Sequence, residues 1–217
     1  MKKFIEYSKK EKIFRIANYC FTLLMVLFSI IFACLAFYNK GSDAGIRCLG
    51  PIFHILLIYI IEAIFRYRVS NFVLYFYNIY VFFAAFLGTT LDFYNFTYYD
   101  DIMHTIFGYV GCIIGLYFLV KFDDYSKMKT SFIMLSVMFV AMGCAGLWEF
   151  TEFFCDKVFL TTSHGAPING IVPVYDTMND ILVSFYGMLV FELQFIIHRL
   201  TKKNLLIDSI VSDFSKN

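Results

Sequence analysis

The chain has 217 residues, of which 60 % are hydrophobic and only 16 % are charged, and its mean hydropathy is +0.69. Soluble domains usually carry about 25 % charged residues, so this composition excludes an ordinary water-soluble domain. The formal net charge of +1 gives no support for nucleic acid as a partner. The hydrophobic composition makes membrane lipid the expected surroundings of the chain. The length leaves room for a single membrane domain.

Six apolar segments predict membrane-spanning helices, and no strand-like alternation competes with them. A hydrocarbon core of about 30 Å needs roughly 20 apolar residues per helix, which matches the length of these segments. The predicted fold class is therefore all-α, a bundle of six transmembrane helices. The segments cover approximately residues 16–38, 48–65, 72–91, 102–120, 131–154 and 177–198.

The distribution of basic residues predicts the orientation. Fifteen of the 18 Lys and Arg residues fall on one predicted side, and Lys40, Arg47 and Lys157 fall on the other. Since cytoplasmic loops are enriched in Lys and Arg, both termini are predicted to be cytoplasmic. The predicted parts are a basic cytoplasmic N-terminus (1–15), the six-helix membrane domain (16–198) and a cytoplasmic C-terminal tail (199–217).

Acidic and histidine residues concentrate near the predicted outer ends of the last three spans. Three pairs have helical spacing, so that each pair shares one face of its helix. The pairs are Asp100 and His104 (i,i+4), Glu149 and Glu152 (i,i+3), and Asp176 and Asp180 (i,i+4).

This pattern favours a bound cation. Neighbouring carboxylates inside a membrane domain repel each other unless a cation, a shared proton or basic partners compensate, and basic residues are scarce on this side. One nitrogen among mostly oxygen donors suits Zn²⁺, Mn²⁺ or Fe. The predicted metal ligands are His104, Glu149, Glu152 and Asp180. The predicted catalytic groups, acting as a base or supporting the ligands, are Asp176 and Asp100.

Simpler interpretations stay open for several of these residues. A carboxylate at a helix start can cap the helix, stabilising it by about 1 kcal/mol, and this applies to Asp100 and Asp176. Asp92 and His164 are also explained as exposed loop residues, and His54 as a histidine satisfied within the bundle. On the predicted inner side, we expect Glu62 to pair with Arg66 at i+4. Most of the inner acids, a group that also includes Glu192, are expected near basic residues.

Three motifs resemble the YjdF-like family of bacterial inner-membrane proteins. They are Tyr99-Asp100-x3-His104-x3-Gly108, Trp148-Glu149-x2-Glu152 and Asp176-x3-Asp180-x6-Gly187. The resemblance covers roughly residues 70–200 and implies a multi-pass protein of the bacterial cytoplasmic membrane. A weaker likeness, to the VanZ-like membrane proteins, lacks the Arg of their last motif. Neither likeness implies a reaction.

Three functions are compatible with the pattern. The first is a metal-dependent enzyme acting on lipid head groups or lipid-linked envelope precursors at the outer face. The second is an ion-coupled transporter or proton relay, against which the sequence offers few polar groups near the membrane midplane. The third is a non-catalytic accessory or sensing protein. The sequence does not determine the oligomeric state.

The topology is tested by labelling single cysteines with an impermeant thiol reagent, in a variant without native cysteines. We expect labelling from outside at positions 43, 97 and 163, and labelling at position 124 only after the membrane is opened. Labelling of position 124 in intact cells would contradict the predicted orientation.

Overall fold

The structure, a computed structural model, describes residues 9–65, 68–122, 124–159 and 174–216. The regular elements of these residues are all helices, which confirms the all-α prediction. The α-helices are α1 (Lys9–Asn39), α2 (Ser42–Phe65), α3 (Asn71–Val81), α4 (Tyr99–Phe122), α5 (Thr130–Phe159), α6 (Val174–Thr201) and α7 (Ile207–Lys216). One-turn 3₁₀-helices lie at Phe93–Asn95 and Tyr125–Lys127.

Six helical spans are long and apolar enough to cross a membrane, as the sequence predicts. They are Glu11–Asn39, Ala44–Ile64, Asn71–Thr90, Tyr99–Lys121, Thr130–Val158 and Val174–Thr201. The described residues therefore form a multi-pass membrane protein. The predicted loop residue His164 lies outside the described residues.

The third span is not a uniform α-helix. After α3 ends at Val81, the chain continues as a π-helix from Phe82 to Thr90, with the Leu91 amide donating to the Phe86 carbonyl at 3.1 Å. The ring of Tyr94 occupies the space that a Cβ at Gly88 would need. Such wide turns are rare and recur at functional sites, and the sequence analysis did not predict this one.

The chain divides into two compact units, the first containing α1 to α3 with the π-helix and the second containing Asp100–Ser215. In unit 1 an apolar core is formed by Met25, Ile55, Val81, Ala85 and Phe86. Burying a large apolar side chain away from water typically stabilises a soluble fold by about 1.5–3 kcal/mol. Inside a bilayer the surroundings are already apolar, so close packing between the helices supplies the attraction instead.

A buried ion pair joins the helix ends of unit 1. The Arg15 guanidinium donates to both carboxylate oxygens of Glu62, at 2.5 and 2.7 Å, and to the Val69 carbonyl at 2.9 Å. The Val69 amide donates back to Glu62 at 2.7 Å. The predicted partner of Glu62, Arg66, lies outside the described residues, and the observed partner is 47 residues away in sequence. Glu62 is therefore part of a closed structural network.

In unit 2, glycines bring α4 into direct backbone contact with α6 and α5. A Cβ at Gly108 would overlap the carbonyl of Ser184, and one at Gly187 would overlap the carbonyl of Thr105. About two turns further along α4, a Cβ at Gly115 would lie 2.8 Å from the Cα of Val137 on α5. Small residues permit this close approach of membrane helices, where packing rather than water exclusion drives association.

The C-terminal segment is ordered as α7, which the sequence analysis did not predict. Its apolar residues Ile207, Ile210 and Phe214 are buried, and the Phe214 ring packs edge-on against Tyr117 of α4. The chain turns from α6 to α7 through a contact between His198 Nδ1 and the Lys203 carbonyl at 2.8 Å. Part of the predicted tail is thus packed within unit 2.

The glycine contacts predict a clear stability difference. Gly108→Ala and Gly187→Ala should each lower the stability by about 1–3 kcal/mol or more, because the added methyl group meets backbone that has no room to move. Thermal unfolding of detergent-purified protein measures the effect. Gly143→Ala is the matched control, since no described atom lies within 4 Å of its Cβ position. Equal behaviour of all three variants would contradict the close helix contact.

Candidate functional site

Three helix ends of unit 2 carry the predicted site residues. The helix α4 begins at Tyr99, which places Asp100 in its first turn and His104 one turn further on. The helix α6 begins at Val174, with Asp176 in its first turn and Asp180 in its second. Since successive membrane spans alternate in direction, the starts of α4 and α6 and the end of α5 lie at the same membrane side.

The glycine contacts set the separation of α4 and α6 at the level of the site. Gly108 follows His104 by one turn of α4, and Ser184 follows Asp180 by one turn of α6. The Ser184 hydroxyl donates to the His104 carbonyl at 3.1 Å. Near the helix starts, the Asn179 amide donates to the Asp101 carboxylate at 2.7 Å. These contacts hold the two helices in register.

The imidazole of His104 lies at the centre of the cluster. Its Nδ1 is 3.9 Å from Glu149 Oε1, and its Nε2 is 3.9 Å from Asp180 Oδ2 and 3.5 Å from Asp100 Oδ1. These separations are longer than good hydrogen bonds. Two donors that each lie about 2.0–2.2 Å from a shared metal ion are roughly 3–4 Å apart. A metal ion binds only one nitrogen of an imidazole, so the contacts on one side of the ring have the spacing of a ligand shell and those on the other side lie outside it.

All four predicted ligands meet at one place. Donor atoms of His104, Glu149, Glu152 and Asp180 lie within 4.8 Å of one another. The Trp148 indole donates to Glu152 Oε1 at 3.0 Å, one turn along α5, and so orients that carboxylate. The structure therefore contains a cluster from three helices with the composition and dimensions of a divalent metal site.

The cluster is buried. The exposed fractions of His104, Glu149 and Asp180 are 7 %, 4 % and 2 %. Asp180 Oδ1 has no hydrogen-bond partner among the described residues, and none of their Lys or Arg side chains pairs with Asp180. Two like charges about 4 Å apart repel by roughly 4 kcal/mol even at an effective dielectric constant of 20. Compensation by a cation or by protons is therefore required.

A second group contains the predicted catalytic residues. Donor atoms of Asp100, Asp176 and Asp180 also lie within 4.8 Å of one another, so that Asp180 belongs to both groups. Asp100 and Asp176 are only partly buried. They are the second residue of α4 and the third of α6, so neither occupies the capping position that precedes a helix. They lie between the buried ligands and the surface.

Other residues weighed from the sequence lie apart from the cluster. Asp92 belongs to unit 1, where its exposed carboxylate is 3.3 Å from Lys40 Nζ. His54 contacts the Gly50 carbonyl through Nδ1 at 2.9 Å, which confirms a histidine satisfied within its own helix.

The sequence analysis missed the environment of Glu192. This residue of α6 is only 4 % exposed, and neither carboxylate oxygen has a hydrogen-bond partner among the described residues. Its carboxylate is therefore not among the inner acids that form a hydrogen bond with a basic residue in the described part of the chain. The sequence does contain a pattern that indicates the burial of Glu192. Four residues of α6 follow one another at i,i+4 spacing and therefore lie on the same, buried side of the helix: Asp180, Ser184, Met188 and Glu192.

A family model described as "Predicted membrane protein (DUF2238)" matches residues 20–201 of the chain, a range that includes the whole cluster. It is the YjdF-like family that the three motifs resemble. The likeness to VanZ-like proteins stays a prediction. Neither the curated proteins nor the solved structures contain a match.

The cluster predicts one firmly bound divalent ion per chain. Elemental analysis of protein purified without chelators should give about one equivalent of Zn, Mn or Fe, because four donors converge in a buried site. Glu149→Gln and Asp180→Asn should each reduce the bound metal at least tenfold. Asp92→Asn is the matched control, since its exposed carboxylate lies in unit 1 and belongs to neither group. A substoichiometric content that added Zn²⁺, Mn²⁺ or Fe²⁺ does not restore would contradict the metal assignment.

Proposed function

Since this chain belongs to the family of predicted membrane proteins (DUF2238), whose description names no reaction, we propose a function from the site itself. The protein is a metal-dependent membrane enzyme that hydrolyses a bond in the head group of a lipid or a lipid-linked envelope precursor. One observation carries this proposal: a buried imidazole and three carboxylates from three helices converge within 4.8 Å at one end of their spans.

The residues divide into two roles. His104, Glu149, Glu152 and Asp180 hold the ion, with the Trp148 indole orienting Glu152. A divalent ion here supplies Lewis-acid chemistry, which activates water near neutral pH and stabilises negative charge on a substrate oxygen.

Asp100 and Asp176 are the proton acceptors in this proposal. A general base must lie within hydrogen-bond reach of the proton that it removes, and it must be accessible to water and substrate. Both carboxylates are partly buried and lie next to Asp180. The buried ligands lack this access, so the two groups have separate tasks.

The surroundings favour an amphiphilic substrate. On α5, Leu147, Phe150 and Phe154 are 66 %, 72 % and 58 % exposed, and on α6 Val174 and Met178 are 70 % and 57 % exposed. These apolar side chains flank the acidic residues on the same helix ends. A lipid can therefore keep its acyl chains in the bilayer while its head group reaches the ion. The outer leaflet of a bacterial cytoplasmic membrane is the expected location.

The second candidate is an ion-coupled carrier or proton relay, and Glu192 is the observation that favours it. A carboxylate buried in a membrane span is costly and is often functional. Glu192 lies 12 residues below Asp180, which is about 18 Å along the axis of α6. It supplies the deeper polar group that a transport path needs. A non-catalytic sensing role has no comparable observation in its favour.

Neutralising the ligands separates these functions. Glu149→Gln and Asp180→Asn should abolish head-group release, measured by mass spectrometry of mixed lipid vesicles that contain the metal-loaded protein. Each substitution keeps the size of the side chain and removes the charge that holds the ion. Asp100→Asn and Asp176→Asn should each lower the rate by about 100-fold, the lower end of what a general base contributes, because the other carboxylate remains as a proton acceptor.

Glu192→Gln is the contrasting variant. An enzyme whose chemistry is confined to the cluster should keep its rate, whereas a proton relay should lose metal- or pH-driven flux across the vesicle membrane. Glu62 is unsuitable for this purpose because its loss would break the ion pair with Arg15. Loss of function in Glu192→Gln, together with normal function in Glu149→Gln, would reject the enzyme proposal.

A further inference from the structure

Unit 1 contains a cavity of about 310 Å³ where α1 ends, α2 begins and the π-helix ends. Its polar lining includes two cationic side chains, Lys40 and Arg47, and two adjacent hydroxyl side chains, Thr89 and Thr90. Phe32 and Leu35 of α1 supply an apolar wall. The cavity is thus large enough for a small polar group with an apolar attachment.

The charge of this cavity is opposite to that of the acidic cluster in unit 2. Lys40 and Arg47 are two of the three basic residues that the sequence predicts on the outer side. Lys40 Nζ is 3.3 Å from Asp92, the one acidic side chain among the described lining residues. Arg47 is exposed and forms no ion pair within the described part of the chain. The described lining therefore has an excess of one positive charge.

Uncharged donors complete the lining. Thr90 is 8 % exposed. Among the described residues, the only hydrogen-bond partner near its Oγ1 is the thiol of Cys48, and a thiol is a weak partner. The wide turns of the π-helix bring Thr89 and Thr90 to the cavity together. The first turn of α2, which includes Ala44, also lies at the wall, and helix starts present free amide groups with partial positive charge.

We propose that this cavity binds a phosphate group, either as the head group of an anionic lipid or as free phosphate. The planar guanidinium of Arg47 matches two phosphate oxygens, the Lys40 ammonium adds a point charge, and the threonine hydroxyls donate hydrogen bonds. The apolar wall at Phe32 and Leu35 suits the glycerol and first acyl carbons of a lipid. The proposal concerns unit 1 and does not depend on the function proposed for unit 2.

Two probes distinguish the sources of the phosphate. Full-length protein in a maltoside detergent is titrated calorimetrically, at constant ionic strength, with inorganic phosphate and with dihexanoyl phosphatidylglycerol below its micelle concentration. Saturable binding of both indicates a site for phosphate itself, and saturable binding of the lipid alone indicates a head-group site. If neither probe saturates, the proposal is wrong.

Three variants locate the binding. Arg47→Gln should weaken it at least about tenfold, because a charged hydrogen-bonding partner is lost. Thr90→Val, which removes the hydroxyl at nearly constant volume, should weaken it several-fold. Lys157→Gln is the matched control, since it removes the third predicted outer basic residue, which is not part of the cavity lining. An equal effect of Arg47→Gln and Lys157→Gln would show that binding reflects net charge only and would overturn the proposal.

Asp180→Asn separates this site from the acidic cluster. The variant disrupts the proposed ion site in unit 2 and leaves the residues of the cavity unchanged. Binding of the phosphate probe should keep the wild-type affinity in this variant. Loss of binding would place the phosphate at the metal and would overturn the assignment to unit 1.

Discussion

The site depends on the close approach of α4 and α6. Gly108 and Gly187 have no side chains at the points where the two backbones meet, and the carbonyls of Ser184 and Thr105 occupy that space. One turn above this contact, His104 and Asp180 are only 3.9 Å apart. A larger residue at either glycine would separate the helices and move the imidazole away from the carboxylate. Helix packing and site geometry are therefore consequences of the same two small residues.

The two units differ in how the charge of a buried carboxylate is compensated. In unit 1, Glu62 receives two hydrogen bonds from Arg15 and one from the Val69 amide, so its charge is compensated within the protein. In unit 2, Asp180 and Glu192 retain carboxylate oxygens without hydrogen-bond partners among the described residues. In the first arrangement the paired and hydrogen-bonded charges tolerate burial, and removal of either partner would leave an uncompensated buried charge. The second arrangement leaves binding capacity for a cation or a proton.

The sequence predicted those features that depend on local patterns. The six spans follow from hydropathy, because lipid demands long apolar helices. The acidic pairs follow from i,i+3 and i,i+4 spacing, and the structure brings His104, Glu149, Glu152 and Asp180 together. One missed feature, the pairing of Arg15 with Glu62, depends on a contact across 47 positions. The other, α7, has a local pattern, because Ile207, Ile210 and Phe214 stand at i, i+3 and i+7, but the segment is too short and too polar for a hydropathy search to detect.

The ion pair in unit 1 has a consequence for biosynthesis. Arg15 is part of the first span, and its carboxylate partner is not synthesised until near the end of the second. A helix entering the bilayer alone would carry an uncompensated arginine near its start, where the penalty is smaller than the value of about 2.5–3.5 kcal/mol that insertion scales give for the bilayer centre. Entry of α1 and α2 together as a helical hairpin avoids this penalty. The order of translation thus favours retention of α1 in the translocon until Glu62 has emerged from the ribosome.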